Sequence, residues 1–336
     1  MAYISFQPHD HFNTVIYTGN ETARTITVGF QPDWVWTKCR SSAHSHISTD
    51  SVTGAGKRLK PDSNNAQDTS GASVASFVST GYTLTDNSTI NGNSETGVSW
   101  NWKANGSGSS NTDGSITSTV SANTTSGFSI VTWTGNSGSI GHGLGVKPSM
   151  IIAKPTAATG GWYVTHKNLS AEMQDNYMFL NTTSANTTNN DIWGGEPTTS
   201  TFSVGSGLIN NTTHIAYVFA EKTGFSKIGS YTGNGNADGA FVYTGFKPNW
   251  VLIKRTGSTA QWQMRDGQRG FNGAIKTLYS DSSEVETSGD TFDILSNGFK
   301  SRNTSNVQNA SGETYIYMAF AEEPLVASNG DIATAR

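Results

Sequence analysis

The stretch GFQPDWVWTK, Gly29 to Lys38, returns as GVKPSMIIAK from Gly145 to Lys154 and as GFKPNWVLIK from Gly245 to Lys254. A chain that writes one ten-residue pattern three times is constrained to a fold that uses one local structure three times. Two further landmarks travel with it. Upstream stand YTGN at Tyr17, WTGN at Trp133 and YTGN at Tyr231; downstream stand TGVSWNWKA from Thr96, THIAYVFAE from Thr213 and TYIYMAFAE from Thr314. The Gly of the upstream landmark precedes the Pro of the long motif by 13, 13 and 15 residues. This order predicts tandem units of about 100 residues, an ordinary domain size. They fall at 1–104 (with a short N-terminal arm), 127–222 and 223–323. A linker at 105–126 separates the first two, and 324–336 is a C-terminal tail.

Each landmark has a physical reading. In the long motif, Gly29, Gly145 and Gly245 turn the chain. Pro32, Pro148 and Pro248 open a strand, because proline fixes φ and offers no donor for mid-sheet pairing. A short apolar run follows, closed by Lys38, Lys154 or Lys254. The downstream landmark alternates: Val98, Trp100 and Trp102 face one way, as do Ile215, Tyr217 and Phe219, and Ile316, Met318 and Phe320. Period two marks a half-buried strand. With six to eight strand candidates per unit and no amphipathic helix, the fold expected is all-β: three tandem antiparallel β-sandwiches of jelly-roll or lectin-like type, each filled by its own alternating bulky residues.

Composition narrows the function. Charged residues make up 14% and the net charge is −4, so no clustered Lys/Arg surface for nucleic acid is expected. No apolar run of about 20 residues could span a bilayer as a helix, and the first residues lack the basic-then-apolar order of a secretory leader. Cys39, the one cysteine, has no partner for an internal disulfide.

Taken together, FQPHDHFNTVIYTGN, FQPDWVWTK, the block from Trp100 to Val131, GHGLGVKPSMIIAK, SYTGNGNADGAFVYTGFKPNWVLIK and TYIYMAFAEEP resemble a repeat family of tailed, especially marine, bacteriophages. The resemblance runs over essentially the whole chain. It implies a virion-associated protein of concanavalin-A-like or jelly-roll architecture, near the tail fibres and other surface structures, and it brings no catalytic residue. The expectation is a non-enzymatic tail-fibre or receptor-binding component. It would sit on the virion among other virion proteins, as a homo-oligomer (a trimer by fibre analogy), touching host carbohydrate or protein without a cofactor. Capsid decoration is the alternative, and a polysaccharide depolymerase the third reading.

Three kinds of residue could carry chemistry. His9 with His11, and His44 with His46, are His-x-His pairs; on a strand, i and i+2 share a face and could hold one metal, although surface histidines in turns are the plainer reading. Carboxylates for glycoside cleavage need a placed pair, and Asp266 and Glu322 have no evident partner. Most tryptophans stand where another unit has Ile, Met, Phe or Tyr, an interchange that cores permit. Trp193, in the loop DIWGGEP with no counterpart, is the expected exposed recognition residue.

Overall fold

Proline and glycine turns feeding short β-branched and aromatic runs leave the backbone one economical solution, hydrogen bonding between neighbouring strands. The structure, a computed structural model, describes residues 6–321 apart from 70–73, 136, 209–211, 271, 274 and 290. Among the described residues the single α-helix is one turn, Ser88–Asn91, and every paired strand is antiparallel. No helix there is long and apolar enough to cross a membrane. The expected 324–336 tail lies outside the described residues.

Four strands recur in one arrangement. The opening strands are Phe12–Thr18, Phe128–Thr134 and Ser226–Thr232. The motif strands are Trp34–Cys39, Met150–Pro155 and Pro248–Arg255. The flanking strands are Ile47–Asp50, Tyr163–His166 and Gln263–Asp266, and the closing strands Thr96–Trp102, Thr213–Phe219 and Thr314–Ala321. In all three segments the spatial order is opening, closing, motif, flanking. The register agrees as well. Trp100 lies between Thr14 and Trp36, Tyr217 between Ile130 and Ile152, and Met318 between Ile228 and Leu252.

Each of these sheets buries both faces. The outward face meets a smaller sheet of its own segment: Arg24–Thr27, Gly81–Leu84 and Val74–Val78 in the first, Gly138–Gly141 with Thr201–Val204 in the second, and Phe241–Tyr243, Gly298–Ser301 and Phe292–Leu295 in the third. Separate apolar clusters fill these outer layers; Ala216 and Val218 belong to one, Tyr315, Tyr317 and Ala319 to another.

The inward faces behave differently from expectation. The alternating sets Val98/Trp100/Trp102, Ile215/Tyr217/Phe219 and Ile316/Met318/Phe320 all enter a single cluster, with seven of the nine tryptophans. Trp34 stacks on Tyr217 at 4.1 Å between ring centroids and on Trp102 at 4.3 Å. Trp102 meets Trp250 edge-on at 5.5 Å, and Phe12 stacks on Phe320 at 5.0 Å. Each segment thus places aromatic rings against the other two. Buried aromatics remove about 150–250 Å² apiece, roughly 4–6 kcal/mol gross at about 25 cal/mol/Å², so this shared interior is the largest favourable contribution the segments have in common. Alternation marks one buried face of a strand; it reveals neither that the other face is covered as well nor which neighbour each face meets.

The expected linker also needs correction. Ser109–Asn111 and Ser118–Asn123 are strands that extend the second segment's main sheet, the latter pairing with Phe128–Trp133. Val120 plugs into that segment's outer cluster. Ser, Thr and Asn around it hid the alternation.

Candidate functional site

Several of the recurring residues hold the three segments to one another, and they do so cyclically. Trp162 Nε1 of the second segment donates to Lys60 O of the first at 2.9 Å, and Trp262 Nε1 of the third donates to Phe179 O of the second at 2.9 Å. The same position in the first segment is His46, whose Nε2 meets Tyr279 O of the third at 2.9 Å. The backbone repeats the cycle: Gln67 N to Thr156 O at 2.8 Å, Asn186 N to Thr256 O at 2.8 Å and Glu286 N to Arg40 O at 2.9 Å. A third set runs the other way round. Tyr217 donates to Asp50 at 3.2 Å, His166 Nε2 meets Tyr317 O at 3.3 Å, and Trp100 Nε1 donates to Asp266 at 2.9 Å. First touches second, second touches third, and third touches first: the chain closes on itself.

Two of the lysines that end the long motif, Lys154 and Lys254, bond across these junctions. Lys154 Nζ donates to Gly160 O at 2.7 Å and across to Asn64 O at 3.1 Å; Lys254 Nζ donates to Ala260 O and across to Thr183 O at 2.8 Å. Lys38 bonds Cys39 O at 2.7 Å. All three are fully buried, and desolvation lowers each to about 8. Of the motif glycines, Gly29, Gly145 and Gly245 adopt φ of 105°, 71° and 85°, the left-handed region that glycine enters without strain. Pro248 begins its strand, whereas Pro32 and Pro148 sit just ahead of theirs.

The histidine pairs do not act as pairs. His9 lies in a single 3₁₀ turn, Pro8–Asp10, 3.8 Å from Asp10, while His11 Nδ1 accepts from Asn123 Nδ2 at 2.9 Å. His46 points inward, Nδ1 accepting from Trp36 Nε1 at 2.9 Å, and burial pushes its pKa well down. His44 sits in the loop ahead of the flanking strand, turned to Glu95 at 3.6 Å. Period-two logic fails because the strand begins only at Ile47. Beside His44, Cys39 Sγ lies 3.4 Å from Glu95 Oε2; the sequence reading gave neither a role, although Cys39 follows the closing Lys directly and Glu95 directly precedes TGVSW.

Trp193 is not exposed. It is 2% accessible and packs in the second segment's outer cluster with Ile192 and Phe202. Asp266 does have partners: Arg269 Nε at 2.6 Å, with Arg269 in turn 3.0 Å from Glu286, which also pairs with Arg40 at 2.9 Å. Glu322 lies outside the described residues. The other buried acids are likewise engaged. Asp33 accepts from Ala104 N and Gly106 N, and Asp50 from Val52 N and Thr53 N.

What remains at the surface does not recur. Phe241 and Tyr243 are 47% and 60% exposed, alternate residues on an edge strand of the third segment's outer sheet, with ring centroids 6.5 Å apart. Beside them Asp238 pairs with Lys300 at 2.8 Å and Arg302 at 2.7 Å, and Lys300 lies opposite Phe241 in register.

Among protein families, the model of one described as a domain of unknown function (DUF7483) matches residues 7–324. No curated protein and no solved structure matches the chain.

Proposed function

We propose a non-enzymatic role at a bacteriophage surface, starting from one premise: the chain belongs to the DUF7483 family, whose model spans residues 7–324 as one unit. On this reading the unit is a triplicated β-sandwich closed into a ring and carried on the virion as a tail-fibre or receptor-binding component. The sequence resemblance to phage repeat proteins supports it. The exposed pair Phe241 and Tyr243 carries it: two rings on an edge strand, flanked by the Asp238–Lys300–Arg302 group, suit stacking against the apolar face of a host sugar with a polar rim for its hydroxyls. Recurring side chains fill the shared interior, the outer layers or the junctions; this pair faces out.

Glycoside cleavage is not favoured. It needs two carboxyls about 5–9.5 Å apart around a substrate, and the buried acids described above are each tied to backbone N–H groups, arginines or ring donors. The alternative is capsid decoration, for which a rigid body closed on itself is equally suited.

The test is binding of the labelled chain to host cells and to empty capsids, with light scattering for assembly state. A receptor-binding component binds cells, loses that binding in F241A/Y243A, and assembles as a trimer. Binding to capsids but not cells moves the role to decoration. Release of reducing sugar from host polysaccharide contradicts both.

A further inference from the structure

We propose that Cys39, His44 and Glu95 form a site for a borderline-soft divalent cation, with zinc the natural occupant, at the corner where the first segment's motif strand ends and its closing strand begins. This goes beyond the surface role above and does not depend on it.

The geometry comes first. Cys39 Sγ is 3.4 Å from Glu95 Oε2, His44 Nε2 is 3.6 Å from the same oxygen, and the three ligand atoms lie within 4.8 Å of one another. Tetrahedral zinc, with bonds of about 2.0–2.3 Å to N, O and S, sets its ligand atoms about 3.3–3.7 Å apart. Two edges of the triangle already have that length, and the third is no longer than 4.8 Å. Thiolate with imidazole selects zinc over calcium or magnesium. Thiolate and carboxylate together neutralise the ion's two charges.

The same corner of the third segment gives independent support. Alignment on the closing lysines and closing strands puts Arg255 where Cys39 stands and Glu313 where Glu95 stands. There the pair is an ordinary ion pair, with Arg255 Nη2 2.9 Å and Nε 3.1 Å from the carboxylate. In the first segment the carboxylate is kept but the arginine is not; a thiol and an imidazole surround it instead. A bound cation restores the charge balance that Arg255 supplies in the third segment. The second segment has Pro155 and Thr212 at these positions, neither of them charged.

The surroundings hold the ligands and leave a way in. A Cβ on Gly92 would fall 2.5 Å from Glu95 Oε2, so glycine there makes room for the carboxylate. Ser41 Oγ accepts from Thr96 N at 3.0 Å and lies 3.8 Å from Cys39 Sγ. Cys39 is buried, while the His44 and Glu95 side chains are 32% and 26% exposed. An open depression of about 310 Å³ beside His44 gives solvent access; its cations Arg58 and Lys60 are paired with Asp68. A cation held by these three side chains has a fourth position left for water.

Cobalt(II) titration of the purified full chain tests the site. Cys39 is the only cysteine, so a near-ultraviolet thiolate-to-cobalt charge-transfer band identifies the ligand without any variant. The expected result is one cobalt per chain with that band, displaced by zinc. Affinity should fall by more than about 100-fold in H44A and in E95Q, beyond the ~10–100-fold of outer-shell changes, and be unchanged in H9A. C39S, close to cysteine in volume, should fold and show no band. Absence of the band in the wild-type chain, or full affinity in H44A, overturns the proposal.

Discussion

His166 should make the closed body acid-labile. Its imidazole is fully buried on a flanking strand, Nδ1 accepting from Asn168 N at 3.0 Å and Nε2 facing Tyr317 O of the next segment at 3.3 Å. An accepting Nδ1 requires the neutral ring with its proton on Nε2. Burial, the largest cause, lowers the pKa from 6.5 to about 4; Lys167 pushes the same way, and Glu221 and the Tyr317 carbonyl oppose. In the unfolded chain the ring protonates near 6.5. Below that pH the unfolded state binds the extra proton and the folded state does not, so stability is intact above about 6.5 and is lost as pH falls toward 4. A difference of that size is worth about 3 kcal/mol for this one ring. H166Q keeps a donor toward Tyr317 O and cannot titrate. Urea unfolding of both chains at pH 7.5, 5.5 and 4 should show the wild type losing about 3 kcal/mol more than H166Q, the carboxylates common to both cancelling. Parallel pH profiles, or a His166 resonance titrating near 6.5, would refute the reasoning.

Other consequences are as direct. Trp34→Ala removes a ring stacked on residues of its own and the second segment, and leaves Ser48 Oγ without the donor now 2.7 Å away; urea unfolding should show a loss of about 3–5 kcal/mol, expressed equally by probes in all three segments. Glu286→Gln leaves the half-buried Arg40 without its carboxylate and the buried Arg269 with Asp266 alone, and the same measurement should show about 1–3 kcal/mol lost. Tyr243→Ala, at an exposed site, should change stability by less than about 0.5 kcal/mol while weakening attachment to host cells in a pull-down.

Much of the strand pattern was legible in the residues. Alternation in TGVSWNWKA and its counterparts placed Trp100, Tyr217 and Met318 on buried faces, and the glycine-to-proline turns located the motif strands. What period two could not supply was the identity of the neighbour across each face, which depends on contacts more than 100 residues apart along the chain, such as Ser48 with Tyr217 at 3.3 Å. The junction residues were invisible for the same reason. His46 reads as a turn histidine until Trp162 and Trp262 are seen at the same position in the other segments, each meeting a carbonyl of another segment. Trp193 misled because Gly194 and Gly195 mark a loop, and a loop can still turn its one large side chain inward. Ser118–Asn123 misled because only one large apolar residue, Val120, interrupts its polar run. At the candidate metal corner, His44 was visible as a ligand type, but its partners are a strand end and a loop end that only the fold brings together.

Calorimetry of the full chain tests the central claim, that three sheets share one interior and therefore fold as one unit. At about 0.7 kcal/mol per residue, the body should absorb on the order of 200 kcal/mol in a single transition whose van't Hoff enthalpy equals the calorimetric one. Separable transitions of roughly 70 kcal/mol each, the size expected of independent units of about 100 residues, would contradict it.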